Sequence, residues 1–291
     1  MTLKTTVFKI AGLGEVLWDI FPDDQKLGGA PANFVAHAQR LGAKAYLISS
    51  VGKDALGKKT TDLLHQSGID TSGVQMHSHW PTGQVQVKVN FQGDASYVIS
   101  ENVAWDQLPA GDVQLGIASQ LDAICFGTLA QRSPDSHASI LKILNATAPH
   151  CLRVFDVNFR KNFFSESIVK RSLELAHVLK MNEEEFQIIA EMFSLSKDHK
   201  MGLRLLIQKF DLRLGVITLG EKGALMADRQ QFSYHQPHTP IAVKSTVGAG
   251  DAFTAATVMG LLEHKNLAEI NAQASQLAAW VCTHMEAVPS L

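Results

Sequence analysis

Apolar and β-branched residues recur along the chain in short runs at 7–13, 45–51, 122–126, 152–157, 178–181 and 214–219, each followed by a longer stretch with helical spacing. That alternation predicts repeated βα units and a mostly parallel sheet covered by helices. Between the first two runs, Ala30, Phe34, Ala38 and Leu41 fall near one face of a helix that Gly42 stops. Asp54 stands where it can cap a helix over 55–66, because its short carboxylate can accept an amide of the first turn. The longest helical patterns come late, at 249–263 and 267–285, and both are rich enough in alanine for close packing over the sheet.

One region changes period. Over 82–99, Val85, Val87 and Val89 alternate with Gln84, Gln86 and Lys88, and Gly93-Asp94 supplies a turn before 96–99. The pattern predicts a hairpin with one polar face. Antiparallel strands inside a parallel pattern suggest a small separate sheet, joined by the early segment 15–26 and placed to act as a lid. The expected organisation is therefore one α/β unit over residues 1–291, with a lid formed by about 15–28 and 74–103.

Composition narrows the function classes. Hydrophobic residues make up 46% of the 291 positions, enough for a large core, and the net charge of −2 carries no electrostatic footprint for nucleic acid. Cys125, Cys151 and Cys282 are odd in number, far apart and without a CxxC pair, which suits a reducing compartment rather than a disulfide framework or zinc site. The stretch 1–10 is too polar for a secretory segment and no run approaches the ~18 apolar residues of a membrane span, so a cytoplasmic location with no membrane partner is expected. The twelve histidines show no metal-binding spacing.

The most informative chemistry lies in Thr246-Val247-Gly248-Ala249-Gly250-Asp251-Ala252-Phe253, a glycine-containing turn that leads into an apolar helix. Small residues at a helix start let backbone N–H groups approach an anion, where the helix adds positive partial charge. An aspartate beside such a site can take the proton of an attacking hydroxyl. On the residues alone, the same segment reads equally as a turn whose acid serves the helix dipole.

Two other loops imitate nucleotide motifs. Residues 52–59 nearly spell a Walker phosphate loop, but Lys59 stands where a Ser or Thr should reach magnesium. Gly12-Leu13-Gly14 begins like a dinucleotide fingerprint, but Leu17 occupies the third glycine position and opposes a nicotinamide oxidoreductase.

Gly248-Ala249-Gly250-Asp251 resembles the C-terminal signature of the ribokinase-like (PfkB) carbohydrate kinases, and Gly28-Gly29-Ala30-Pro31-Ala32-Asn33 resembles their N-terminal one. The resemblance extends from about Gly12 to Pro289. The stretches 14–19 (Gly-Glu-Val-Leu-Trp-Asp) and 101–106 (Glu-Asn-Val-Ala-Trp-Asp) look most like bacterial fructokinases. It implies a ribokinase-like α/β fold with a small β-sheet lid, ATP and Mg2+ as cosubstrate and metal, and a sugar acceptor, with D-fructose first. Ribose, 2-keto-3-deoxygluconate or a nucleoside are the alternatives, and a catalytically silent sugar- or nucleotide-binding regulator is the reading from another class.

Position by position, Asp251 matches the family's base, and the backbone of Gly248, Ala249 and Gly250 its anion hole. Asp19, Gly29 and Asn33 match its substrate contacts, joined by Asp251 itself. Arg160, in Asp156-Val157-Asn158-Phe159-Arg160, matches a residue steadying substrate or phosphate charge. Asn182 and Glu185 match an Asn-x-x-Glu motif linked to phosphate and, through water, to magnesium. Thr218, Gly220 and Gly223 match a stretch along the nucleotide, beside Gly248 and Gly250. Relatives that carry an Asp-Thr pair before Gly-Ala-Gly-Asp use that Asp near a potassium ion; here Lys244-Ser245-Thr246 leaves monovalent-cation dependence open. The resemblance also allows a homodimer through the lid.

Overall fold

The computed structural model describes residues 7–89, 95–237 and 241–289; the Gly93-Asp94 turn lies outside them. The first third of the chain runs β1 (Lys9–Leu13), β2 (Leu17–Ile20), β3 (Gln25–Gly28), α1 (Ala30–Arg40), β4 (Lys44–Gly52), α2 (Ala55–Gln66) and β5 (Val74–His77). It continues through β6 (Gly83–Val89), β7 (Ala95–Ile99), α3 (Asp112–Ala118), β8 (Ala123–Phe126), α4 (Pro134–Asn145), β9 (Leu152–Asp156), α5 (Glu166–Leu175) and β10 (Val178–Asn182). The last part is α6 (Glu183–Met192), α7 (His199–Phe210), β11 (Leu214–Thr218), β12 (Ala224–Ala227), β13 (Phe232–His235), α8 (Ala249–Leu262) and α9 (Leu267–Cys282).

Among the described residues, nine strands form the main sheet in the order β13-β12-β11-β10-β9-β8-β1-β4-β5. All pairings from β11 to β5 are parallel, and β12 and β13 add an antiparallel edge. The parallel strands are apolar on both faces because helices cover both. Ala11, Ile124, Phe155 and Leu179 point into one core with residues of α4 to α7, while Ile10, Cys125, Val154 and Val178 point into the other with residues of α1, α8 and α9. Each such large side chain is worth about 1.5–3 kcal/mol when fully buried. Helix α8 is apolar all round: residues 252–260 are all buried. It packs against α1 and α9.

The second sheet has the order β3-β2-β6-β7, with β2 and β6 parallel and its outer pairs antiparallel. Two expectations change here. Residues 15–26, read as a joining segment, instead supply β2 and most of β3; each strand is only four residues long, too short for a period to show. The second stretch of the expected lid runs from 74 to 103, but β5 pairs in parallel with β4 at the edge of the main sheet, so 74–77 belongs there.

The small sheet is anchored at its base. Trp18 Nε1 donates to Thr60 Oγ1 of α2 at 2.8 Å, and Lys59 stands over the Trp18 ring at 4.4 Å. The lysine that spoils the Walker pattern is thus a packing residue. Arg132, buried, forks onto both oxygens of Asp106 at 2.8 Å, donates to the Ser100 carbonyl and lies over the Trp105 ring. Asp54 caps α2 at Gly57 and accepts from the amide and hydroxyl of Thr82.

Candidate active site

Every parallel strand of the main sheet ends on the same edge, where α/β folds gather their ligand groups. Four of those ends carry the site. Strand β1 runs on to Glu15 and then to Asp19 on β2, β9 ends at Asp156, β10 at Asn182 and β11 at Thr218. Helices α1 and α8 bring Asn33 and Asp251 to the same place.

Asn33 Nδ2 donates to Asp251 Oδ2 at 2.8 Å. The two signature segments, 218 positions apart, therefore meet side chain to side chain. Gly29, the residue before α1, has φ 107°, and a Cβ on it would lie 2.6 Å from the Glu15 carbonyl oxygen. The glycine lets α1 begin against the turn after β1. The Asp19 carboxylate lies over Gly28, since a Cβ there would come within 2.9 Å of Asp19 Oδ2.

Helix α8 begins at Gly248, whose φ of 80° is left-handed. Its Cβ, were there one, would lie 2.3 Å from the carbonyl oxygen of Ala287. No side chain caps this helix start; the first-turn amides have no acceptor within the helix, and that of Ala249 donates to the Thr246 carbonyl at 3.3 Å. Such an uncapped start beside a carboxylate fits a phosphate group.

Asp251 is partly buried. Burial, reinforced by the charge of Asp156, pushes its carboxyl up to about 6, against the Asn33 hydrogen bond and the charges of Lys180 and Arg160. Burial also raises Asp19, with Arg160 opposing. Arg160 itself is exposed and hydrogen-bonds the Phe159 carbonyl at 3.2 Å. Its charge nevertheless reaches Asp19, Glu15 and Asp251. The loop that carries it turns through left-handed Asn158 (φ 43°) and Lys161 (φ 49°).

Asn182 and Glu185 form a reciprocal cap on α6: Asn182 Oδ1 accepts from the Glu185 amide and Glu185 Oε2 from the Asn182 amide, both at 2.8 Å. Glu185 Oε1 accepts the Phe159 amide at 2.9 Å, so the buried carboxylate ties α6 to the loop after β9. Burial raises its pKa, opposed by Lys180. Thr218 is the register partner of Asn182. Gly220 (φ 60°) and Gly223 (φ 96°) then make the turn into β12, and a Cβ at Gly223 would collide with the His235 carbonyl. Thr218, Gly220 and Gly223 form a second group along the edge, and the structure shows no side-chain bond from them to Asp251 or Asn33.

Ser245 shares in a local turn, its hydroxyl accepting the Val247 amide at 3.2 Å. Among the described residues no group of three or more His, Cys, Asp or Glu side chains could hold a metal. A larger cavity of about 240 Å³ opens at the foot of the small sheet between Trp80, Asn102, Arg132 and Phe163, and none of these site residues lines it.

Three buried charges were not read from the sequence. Glu15 is buried, its Oε2 has no hydrogen-bond partner, and burial pushes its carboxyl up to about 7. Asp156 and Lys180 pair at 3.0 Å inside the site. The available signal was one lysine within the apolar strand Val178-Leu179-Lys180-Met181.

With the geometry in place, comparison with known proteins decides the family. The description "pfkB family carbohydrate kinase" matches residues 23–291. The chain belongs to that family. This sugar kinase is 30% identical to the fructokinase of Klebsiella pneumoniae over 268 residues, 88% of this chain and 85% of that protein. It is 29% identical over 275 residues to a sugar kinase of Pyrococcus horikoshii, covering 89% and 84% of the two chains. The crystal structure of the Pyrococcus protein in complex with ATP superposes on this kinase with a TM-score of 0.82, 27% identity and 96% and 94% coverage. Among the described residues no helix is long and apolar enough to cross a membrane.

Proposed function

We propose that this sugar kinase transfers the γ-phosphoryl group of MgATP to a hydroxyl of D-fructose. The observation that carries the reading is the Asp251 carboxylate, held by Asn33 at the uncapped start of α8. The attacking hydroxyl gives its proton to Asp251, its oxygen forms the new bond to the γ-phosphorus, and the bond to the ADP oxygen breaks. The amides of Gly248, Ala249 and Gly250 receive the charge that develops on the transferred group, the type of contribution that oriented donors make. Asp19, Gly29 and Asn33 bind the sugar, since carboxylate and amide groups suit a polyol. Arg160 steadies the negative charge between sugar and phosphate.

The nucleotide lies along Asn182, Thr218, Gly220 and Gly223. Glu185 would hold the magnesium of the nucleotide through water, a role that suits a carboxylate whose two oxygens each accept a backbone amide. Residues 17–28, 83–89 and 95–99 act as a lid that excludes water during transfer. A cytoplasmic location and a dimer through the lid complete the proposal; light scattering checks the second.

The test is ADP release by the purified protein with MgATP across fructose, ribose, glucose, 2-keto-3-deoxygluconate and adenosine, with Asp251→Asn alongside. Turnover that depends on fructose and vanishes in the variant supports the reading. Turnover with another acceptor keeps the chemistry and replaces the sugar. ATP binding without turnover on any acceptor points to a regulator.

A further inference from the structure

Lys180 sits in β10 among Val178, Leu179 and Met181, with a side chain only 10% exposed. Its Nζ lies 3.0 Å from Asp156 Oδ1. Thr254 Oγ1, one turn into α8, donates to Asp156 Oδ2 at 2.7 Å and has the Gly250 carbonyl 3.0 Å away. The pair therefore connects two central strands to the helix start. Nζ also lies close beneath Gly250, where a Cβ would come within 2.9 Å of it. Replacing a buried ion pair by apolar residues is often neutral or stabilising, so stability alone gives no reason to keep a lysine here. Its position against the last residue of the Gly248–Gly250 turn does.

We propose that Lys180 is a positioning residue of the phosphoryl-transfer site. It holds the first turn of α8 through Asp156 and Thr254 and sets a fixed positive charge beneath Gly250. That charge favours the ionised form of Asp251 and the negative charge arriving at the helix start. The inference rests on Asp251 being the base.

The groups that face Asp251 are Asp156 from β9, Lys180 from β10, Arg160 from the loop after β9, Glu15 from the turn after β1, Asn33 from α1 and the Cys125 thiol from β8. Among them Asp156 raises the Asp251 pKa, and Lys180 and Arg160 lower it. Removing Lys180 and removing Asp156 should thus move the acid limb of the pH profile in opposite directions. A merely structural role would not do that.

The experiment compares Lys180→Met, Asp156→Asn and the double variant, which removes both charges of the pair together, with Asp251→Asn as the reference. It uses the full chain with MgATP and the acceptor found by the panel above, and thermal unfolding reports the folded fraction. We expect kcat to fall by about 10- to 100-fold in Lys180→Met and in the double variant, a modest loss beside the 10²–10³ of a direct oxyanion donor. The acid limb of kcat/KM should rise by at least half a pH unit in Lys180→Met and fall in Asp156→Asn. If Lys180→Met does not fold, the double variant carries the kcat reading and Asp156→Asn the limb. Folded Lys180 variants with kcat within threefold of the parent overturn the inference, as does a loss that only tracks the folded fraction or a limb that stays in place. Activity surviving in Asp251→Asn overturns the reading of the base instead.

Discussion

The Asn33–Asp251 hydrogen bond makes a quantitative statement about pH. Asp251 has a raised pKa of about 6, so its proton-accepting form is lost as pH falls through that value. In Asn33→Ala the carboxylate loses an amide donor at 2.8 Å. A hydrogen bond to a charged group is worth roughly 1.5–3 kcal/mol, and one pH unit corresponds to about 1.36 kcal/mol. Water admitted by the truncation restores part of the loss, so a rise of about one unit is expected, to near 7. The assay is kcat/KM for the best acceptor from pH 5 to 9 at saturating MgATP and constant ionic strength, each profile normalised to its plateau. The plateau itself is expected to fall as well, given the sugar-binding role proposed for Asn33, but limb position is independent of plateau height. A limb that stays near 6 or moves down would refute the reasoning, because it would mean that the hydrogen bond does not favour the ionised form.

Three further outcomes follow from other parts of the molecule. Glu15, at about 7 in the folded protein against an ordinary 4.5, binds its proton more tightly when folded, so the stability linked to it is present below about 4.5 and lost as pH rises through 7. Glu15→Gln should therefore be no more stable than the parent near pH 4.5 and more stable at pH 8, by up to about 3 kcal/mol; urea midpoints at the two pH values check this. Arg132→Ala leaves Asp106 buried without its partner and should cost about 3–5 kcal/mol in the same measurement. Gly248→Ala meets both the left-handed φ and the Ala287 carbonyl, displaces the amides of the helix start, and should lower kcat by about 100-fold in a steady-state assay.

The fold was legible where burial sets the period. Strands β1, β4, β8, β9, β10 and β11 stand at the six apolar runs because each is covered on both faces. Helix α2 begins where Asp54 can cap it. Short strands whose side chains split between sheet, turn and solvent were not legible, as with Leu17–Ile20, which holds Asp19, and with Val74–His77, where four residues of alternating polarity are too few to mark a strand and burial does not follow the alternation. In the site, residues within contiguous signatures such as Asn33 and Asp251 could be named from the chain. Asp156 and Lys180 could not be paired, since a charge inside an apolar run finds its partner only when neighbouring strands align.

The contact at Gly248 has a consequence for synthesis. The segment that presses on it also carries the Ala287 carbonyl that meets His37 of α1 at 2.9 Å, and the Val288 and Pro289 carbonyls that accept from Arg40. The start of α8 is wedged in place by residues made nearly 40 positions after it and by a helix made more than 200 positions before it. A ribosome-bound chain that has exposed Asp251 but not Ala287 thus holds this carboxylate without the wedge that fixes the adjacent amides. Contacts of such long sequence separation slow folding, so the geometry of this helix start is complete only once residues 287–289 have docked against it and α1.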